Sequence, residues 1–120
     1  MKEIFESWLD QISDDVGILA CGIRFPDAAI ITQSFAFDFS ADQWDAIWKQ
    51  LDETVQTLSH RRLSVTWQCW QFERHYLQWI ARPDGLSLGL LASLEGAEPH
   101  TEYIQSLLEQ FLAWDHQQAA

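Results

Sequence analysis

The side chains in this chain best suited to chemistry are four histidines (His60, His75, His100, His116) and two cysteines (Cys21, Cys69). A zinc site needs His or Cys at spacings that bring ligands together, such as an i, i+4 pair or a C-x-x-C. None occurs here, and each histidine falls in a different stretch of sequence. A general base also needs a companion to orient it. His75 lies beside a turn with none in sight, so it reads as a surface residue. Ser34 and Ser40 lack the G-x-S-x-G setting of a strained nucleophile turn. Gly17, Gly22 and Gly89 form neither a G-x-G-x-x-G nor a P-loop, so no phosphate cradle is expected. The carboxylates are many but scattered over polar faces. The residue types therefore predict no catalytic residues, no cofactor and no metal.

Charge narrows the partners. Eighteen acidic residues against seven basic ones give a formal net charge of −11. Nucleic acids and anionic membranes are bound by clustered Lys and Arg. The only adjacent basic pair, Arg61-Arg62, falls at an expected helix end, where cations are favoured anyway. The negative charge serves solubility first and steering of a basic partner second. The amphipathic start, Met1–Phe5, is unlike a signal peptide, and the longest apolar run, Val16–Ile23, is too short to span a bilayer. A cytoplasmic location is the expectation, with Cys21 and Cys69 acting as small core hydrophobes.

Stepping through the chain, Phe5, Trp8, Leu9 and Ile12 mark a short amphipathic helix. Two strands follow, Val16–Phe25 and Ala28–Phe37, joined by a tight turn at Pro26-Asp27. Ser40 and Gln43 form a capping box that opens a long helix. Its apolar stripe is Trp44, Ile47, Trp48, Leu51, Val55 and Leu58. Period two returns over Leu63–Phe72, with Leu63, Val65, Trp67 and Cys69 on one side and Ser64, Thr66, Gln68 and Trp70 on the other. Turns at Glu73-Arg74 and Pro83-Asp84-Gly85 separate the strands His75–Arg82 and Leu86–Leu94. A last helix carries Tyr103, Ile104, Leu107, Leu108, Phe111 and Trp114. Trp79 reads as core, and Trp8 and Trp114 as neighbours on the terminal helices. The fold class is α+β: a five-stranded antiparallel sheet with three helices, in the order α-β-β-α-β-β-β-α. Residues 1–116 make one domain and 117–120 a frayed tail.

Five strands at ~4.8 Å make a sheet roughly 24 Å wide, which takes about two helices on each face. Three helices are one short, and seven tryptophans exceed what a small core usually needs. A partner is expected on the uncovered strip. The third strand follows the long helix and begins a meander, so it can form a sheet edge. Its Ser64, Thr66 and Gln68 are not the charged or Pro guards that normally blunt an edge. Two copies pairing there antiparallel would bring Trp44, Ile47, Trp48, Leu51 and Val55 over the join, with Trp70 beside them. A proline at Thr66 would then remove a ladder donor.

That element order resembles the roadblock family of dynein-light-chain-like proteins over the whole chain. Pro26-Asp27-Ala28-Ala29 stands where the family usually has a Gly in the first hairpin turn. The resemblance implies a homodimer joined through the second helices and third strands, here Ser40–His60 and Leu63–Trp70. It further implies a scaffold or regulator of a small Ras-like GTPase, or of a larger complex. Two alternatives are an acidic dimeric binder similar to the type III secretion chaperones, in which three strands precede the second helix, and a profilin-like small-molecule sensor with an aromatic-lined pocket.

Overall fold

A computed structural model describes residues 2–12, 18–35, 40–63, 65–93 and 97–114. Ser64 and the tail 117–120 lie outside the described residues. The elements are α1 (Lys2–Asp10), β1 (Ile18–Arg24), β2 (Ile30–Ser34), α2 (Ala41–Ser59), β3 (Trp67–Gln71), β4 (His75–Ala81), β5 (Ser87–Ser93) and α3 (Ala97–Ala113). The order is the α-β-β-α-β-β-β-α of the sequence, and all strand pairs are antiparallel. Across the sheet the strands run β2-β1-β5-β4-β3, so β2 and β3 are the two edges.

α2 carries the chain from one edge to the other. Its 19 residues span about 28 Å at 1.5 Å per residue, enough to cross five strands. The expected capping box starts it: Ser40 Oγ accepts from the Gln43 N–H (3.2 Å), and Gln43 Oε1 accepts from the Ser40 N–H (2.8 Å). Arg62, at φ 63°, ends the helical run, and the Leu63 N–H donates back to the Leu58 carbonyl. That stop makes β3 begin at Trp67 rather than at Leu63.

The sheet separates two cores. On one face α1 and α3 bury Phe5, Leu9, Ile104 and Phe111 against β1 and β5. Trp8 and Trp114 meet there edge to face, 5.9 Å between ring centroids. On the other face α2 buries Trp44, Trp48 and Leu51 against Ala20, Leu77, Trp79 and Leu91. A register shift between Ile18 and Ala20 sets Ile18 on the α1/α3 face with Cys21 and Ile23, while Ala20 faces α2.

Two of the three hairpin turns, β1–β2 and β4–β5, pack together at one end of the sheet. In the first, Asp27 Oδ1 accepts from the Ala29 N–H (3.1 Å), and Ala28 takes the left-handed conformation at φ 71°. In the second, Gly85 at φ 93° lies so close to Pro26 that an added Cβ would stand 2.9 Å from the proline ring. Next to it Arg82 donates to the Phe111 carbonyl at the end of α3 (3.0 Å) and to Asp84 (2.7 Å). A cation at a helix C-terminus is favoured by the helix dipole.

Candidate interaction edge

β3 is paired on one side only. The Ala81 N–H donates to the Thr66 carbonyl (2.9 Å), and the Phe72 N–H donates to the His75 carbonyl (2.7 Å). Backbone directions alternate along an antiparallel strand. Thr66, Gln68, Trp70 and Phe72 therefore turn their backbone groups to β4. The N–H and C=O groups of Trp67, Cys69 and Gln71 turn outward, where no described strand lies. Nothing from Trp67 to Gln71 is Lys or Pro, so the edge carries none of the usual guards. This corrects the expectation for Thr66: its carbonyl accepts from the Ala81 N–H on the β4 side, so a proline there bears on the β3–β4 side of the strand and not on the outward edge.

Apolar exposure gathers at the same place. Among the described residues, the exposed large hydrophobic side chains are Leu63 (54 %), Trp67 (54 %), Phe72 (49 %) and Leu112 (48 %). Trp67 lies in β3 and Phe72 directly follows it, while Leu63 closes the end of α2 four residues before the strand. The fourth shares a hollow with Trp67 on the α3 side. Soluble proteins seldom leave such a patch bare without a use for it. Trp67 is held in place, its indole N–H donating to Gln78 Oε1 (3.0 Å). On the α2 side, Gln50, Glu53, Thr54, Thr57, Leu58 and Trp70 line a second hollow of about 600 Å³.

The strand's alternation is as the sequence indicates, but the buried face is the opposite one. Gln68 is buried under α2, where its amide donates to the Leu51 carbonyl (3.4 Å) and accepts from the Trp70 indole (2.9 Å). Trp67 and Cys69 project from the other face, where β3 lies beyond the cover of α3 and is exposed. Trp44, Trp48 and Leu51 are fully buried on their own sheet, and the Trp48 indole donates to Ser87 Oγ (2.8 Å). They stiffen α2 from beneath and leave no side-chain surface for a second copy, which corrects their expected placement over a join. Ile47 and Val55 are half-buried against the same cluster, and Trp70 is half-covered by α2. Sequence reasoning missed Trp67, Cys69, Gln71, Phe72 and Leu112. The available signal was that three helices cannot cover both faces of an outermost strand.

Other features are already internally paired. Arg24 bridges to Asp52 (2.6 Å) and ties β1 to α2. A hollow of about 390 Å³ there is lined by Arg24, Asp52, Trp79 and Ser87, yet Arg24 is held by Asp52 and Ser87 by Trp48. Burial pushes the Cys21 thiol up to about 12, with Asp10 adding to the effect, and desolvation also raises Cys69. Neither is a ready thiolate at neutral pH. Among the described residues no group of three His, Cys, Asp or Glu is placed to hold a metal, and no helix is long and apolar enough to cross a membrane. No protein-family model matches the chain, and no curated protein matches it.

Proposed function

We propose that this protein is a non-catalytic interaction module that pairs with a second copy of itself along β3. The carrying observation is the outward-facing backbone of Trp67, Cys69 and Gln71 on an outermost strand that carries no Lys or Pro, with Phe72 exposed at its end. A two-fold axis through Cys69 sets Trp67 opposite Gln71 of the second copy and Cys69 opposite its equivalent. This register closes all the outward backbone groups of Trp67–Gln71 in hydrogen-bonded pairs. Registers centred on Gln68 or Trp70 leave part of that strand unpaired. The α2-side hollows would then meet across the join.

The roadblock-like element order supports a role as scaffold or regulator of a small Ras-like GTPase or of a larger complex. Two strands, not three, precede α2, which argues against the chaperone-like alternative. Light scattering at micromolar concentration should return twice the 13.9 kDa chain mass. Cys69→Pro removes the central outward donor while sparing the β3–β4 ladder, a position where edge strands tolerate proline. It should be folded and monomeric. A wild-type monomer at tens of micromolar, or a Cys69→Pro dimer of undiminished affinity, would refute the proposal.

A further inference from the structure

The β3 edge has a second side. Between β3 and α3 lies a hollow of about 390 Å³ lined by Trp67, Gln78, Ile80, Leu108, Glu109 and Leu112, with Gln105 at its rim. Ile80 and Leu108 are buried and form its floor, while Trp67 and Leu112 stand half out of it as two apolar lips. The Trp67 indole N–H is taken by Gln78, so the ring offers an incoming group only its apolar surface.

The charge beside this hollow has one sign. Glu102, Gln105, Glu109 and Leu112 follow helical spacing and form a single exposed ridge of α3. Two of the four are carboxylates. No Lys or Arg is among the residues lining the hollow. Two cations at this end of the sheet are already taken, Arg82 by the Phe111 carbonyl and Asp84, and Arg24 by Asp52. A second copy is a poor occupant. It brings another −11 of charge, and its helices carry only Lys2 and Lys49 as cations.

We infer that the α3-side groove docks a basic amphipathic helix from a different protein. Its large apolar side chains enter between Trp67 and Leu112, and its Lys or Arg residues lie along Glu109 and Glu102. A helix satisfies its own backbone, so it needs nothing from the strand edge that the second copy occupies; this preference over an extended segment rests on the proposed self-association. In a dimer joined through β3, the two-fold axis stands perpendicular to the sheet. Both grooves then open on the same side, and a partner with two such helices gains avidity.

The probe is a fluorescein-labelled helical peptide with Leu on one face and Lys on the other, followed by anisotropy. Wild type should bind one peptide per chain, more weakly at high salt. A peptide with Glu in place of Lys should not bind. Leu112→Glu and Glu109→Lys should each weaken binding by about tenfold or more, since each removes an anchor or reverses a charge at the groove. Glu6→Lys makes the same change of net charge on an exposed position of α1, which packs by β1 and β2 away from β3, and should leave affinity within about twofold. Circular dichroism confirms that each variant is folded. Glu6→Lys weakening binding as much as Glu109→Lys would reduce the effect to general acidity and overturn the groove. So would unchanged binding by Leu112→Glu. Cys69→Pro separates the two proposals: a monomer that still binds one peptide sustains the groove without the dimer. Loss of peptide only in Cys69→Pro would move the peptide to the strand edge and overturn the assignment.

Discussion

Gly22 and Gly89 stand directly opposite each other across β1 and β5, and the Trp44 indole fills the space that their side chains would take. A Cβ on Gly89 would lie 2.8 Å from Trp44 Cζ3, and one on Gly22 would lie 3.3 Å from Trp44 Cδ2. The ring is wholly buried and cannot retreat outward without lifting α2. Gly89→Ala should therefore cost about 2 kcal/mol, within the usual range for overpacking a core, and Gly22→Ala about 1 kcal/mol. Urea midpoints should fall in that order. Equal midpoints for Gly89→Ala and wild type would show that the indole shifts freely.

Ala28 occupies a left-handed position in the first hairpin turn. That conformation costs an L-residue about 1–2 kcal/mol, whereas glycine adopts it at an entropic cost of roughly 0.5–1 kcal/mol. Ala28→Gly should thus stabilise the fold by about 0.5 kcal/mol and raise the melting temperature by a few degrees. A lower melting temperature would mean that the turn does not hold the positive φ.

Trp48 and Cys69 should respond to substitution in opposite ways. Trp48 is buried on its own sheet and bonded to Ser87, so Trp48→Ala should remove about 3–5 kcal/mol of stability. Cys69 holds an exposed edge, and Cys69→Pro should change assembly rather than fold. Denaturant unfolding alongside light scattering separates the two. A stable, dissociated Trp48→Ala variant would return Trp48 to the interface.

Alkaline stability should depend on Cys21. Its thiol is held up to about 12 in the folded chain, against 9.0 for an ordinary thiol. The folded state keeps a proton that the unfolded state releases, so the contribution is fully present below pH 9 and is lost as pH rises toward 12. Each unit of difference corresponds to about 1.4 kcal/mol. Cys21→Ala should flatten the decline in stability between pH 9 and 11. An unchanged slope would mean that Cys21 ionises in the folded chain as it does in the unfolded one.

Much of this architecture was legible in the sequence because it is local. Ser40 and Gln43 announce a helix start three residues apart, Pro26-Asp27 and Pro83-Asp84-Gly85 carry their own turn chemistry, and the stripe from Trp44 to Leu58 repeats at helical spacing. Strand ends were less legible. β3 starts late because Arg62 and Leu63 close off α2 through backbone geometry that no residue type there demands.

The sequence by itself determined the order of elements, the antiparallel sheet, the excess of negative charge and the apolar faces of the helices, since each follows from spacing or count. The tertiary structure alone decided which tryptophans are core and which are surface. Alternation along β3 separates Trp67 from Trp70, but it does not say which face a helix will cover. That depends on strand order and on the path of α2 over β4 and β5, which are pairings between segments far apart in the chain. Once β3 is outermost, α2 reaches Gln68 and Trp70, while Trp67 lies beyond the cover of α3. The candidate site is therefore a property of the edge rather than of any motif.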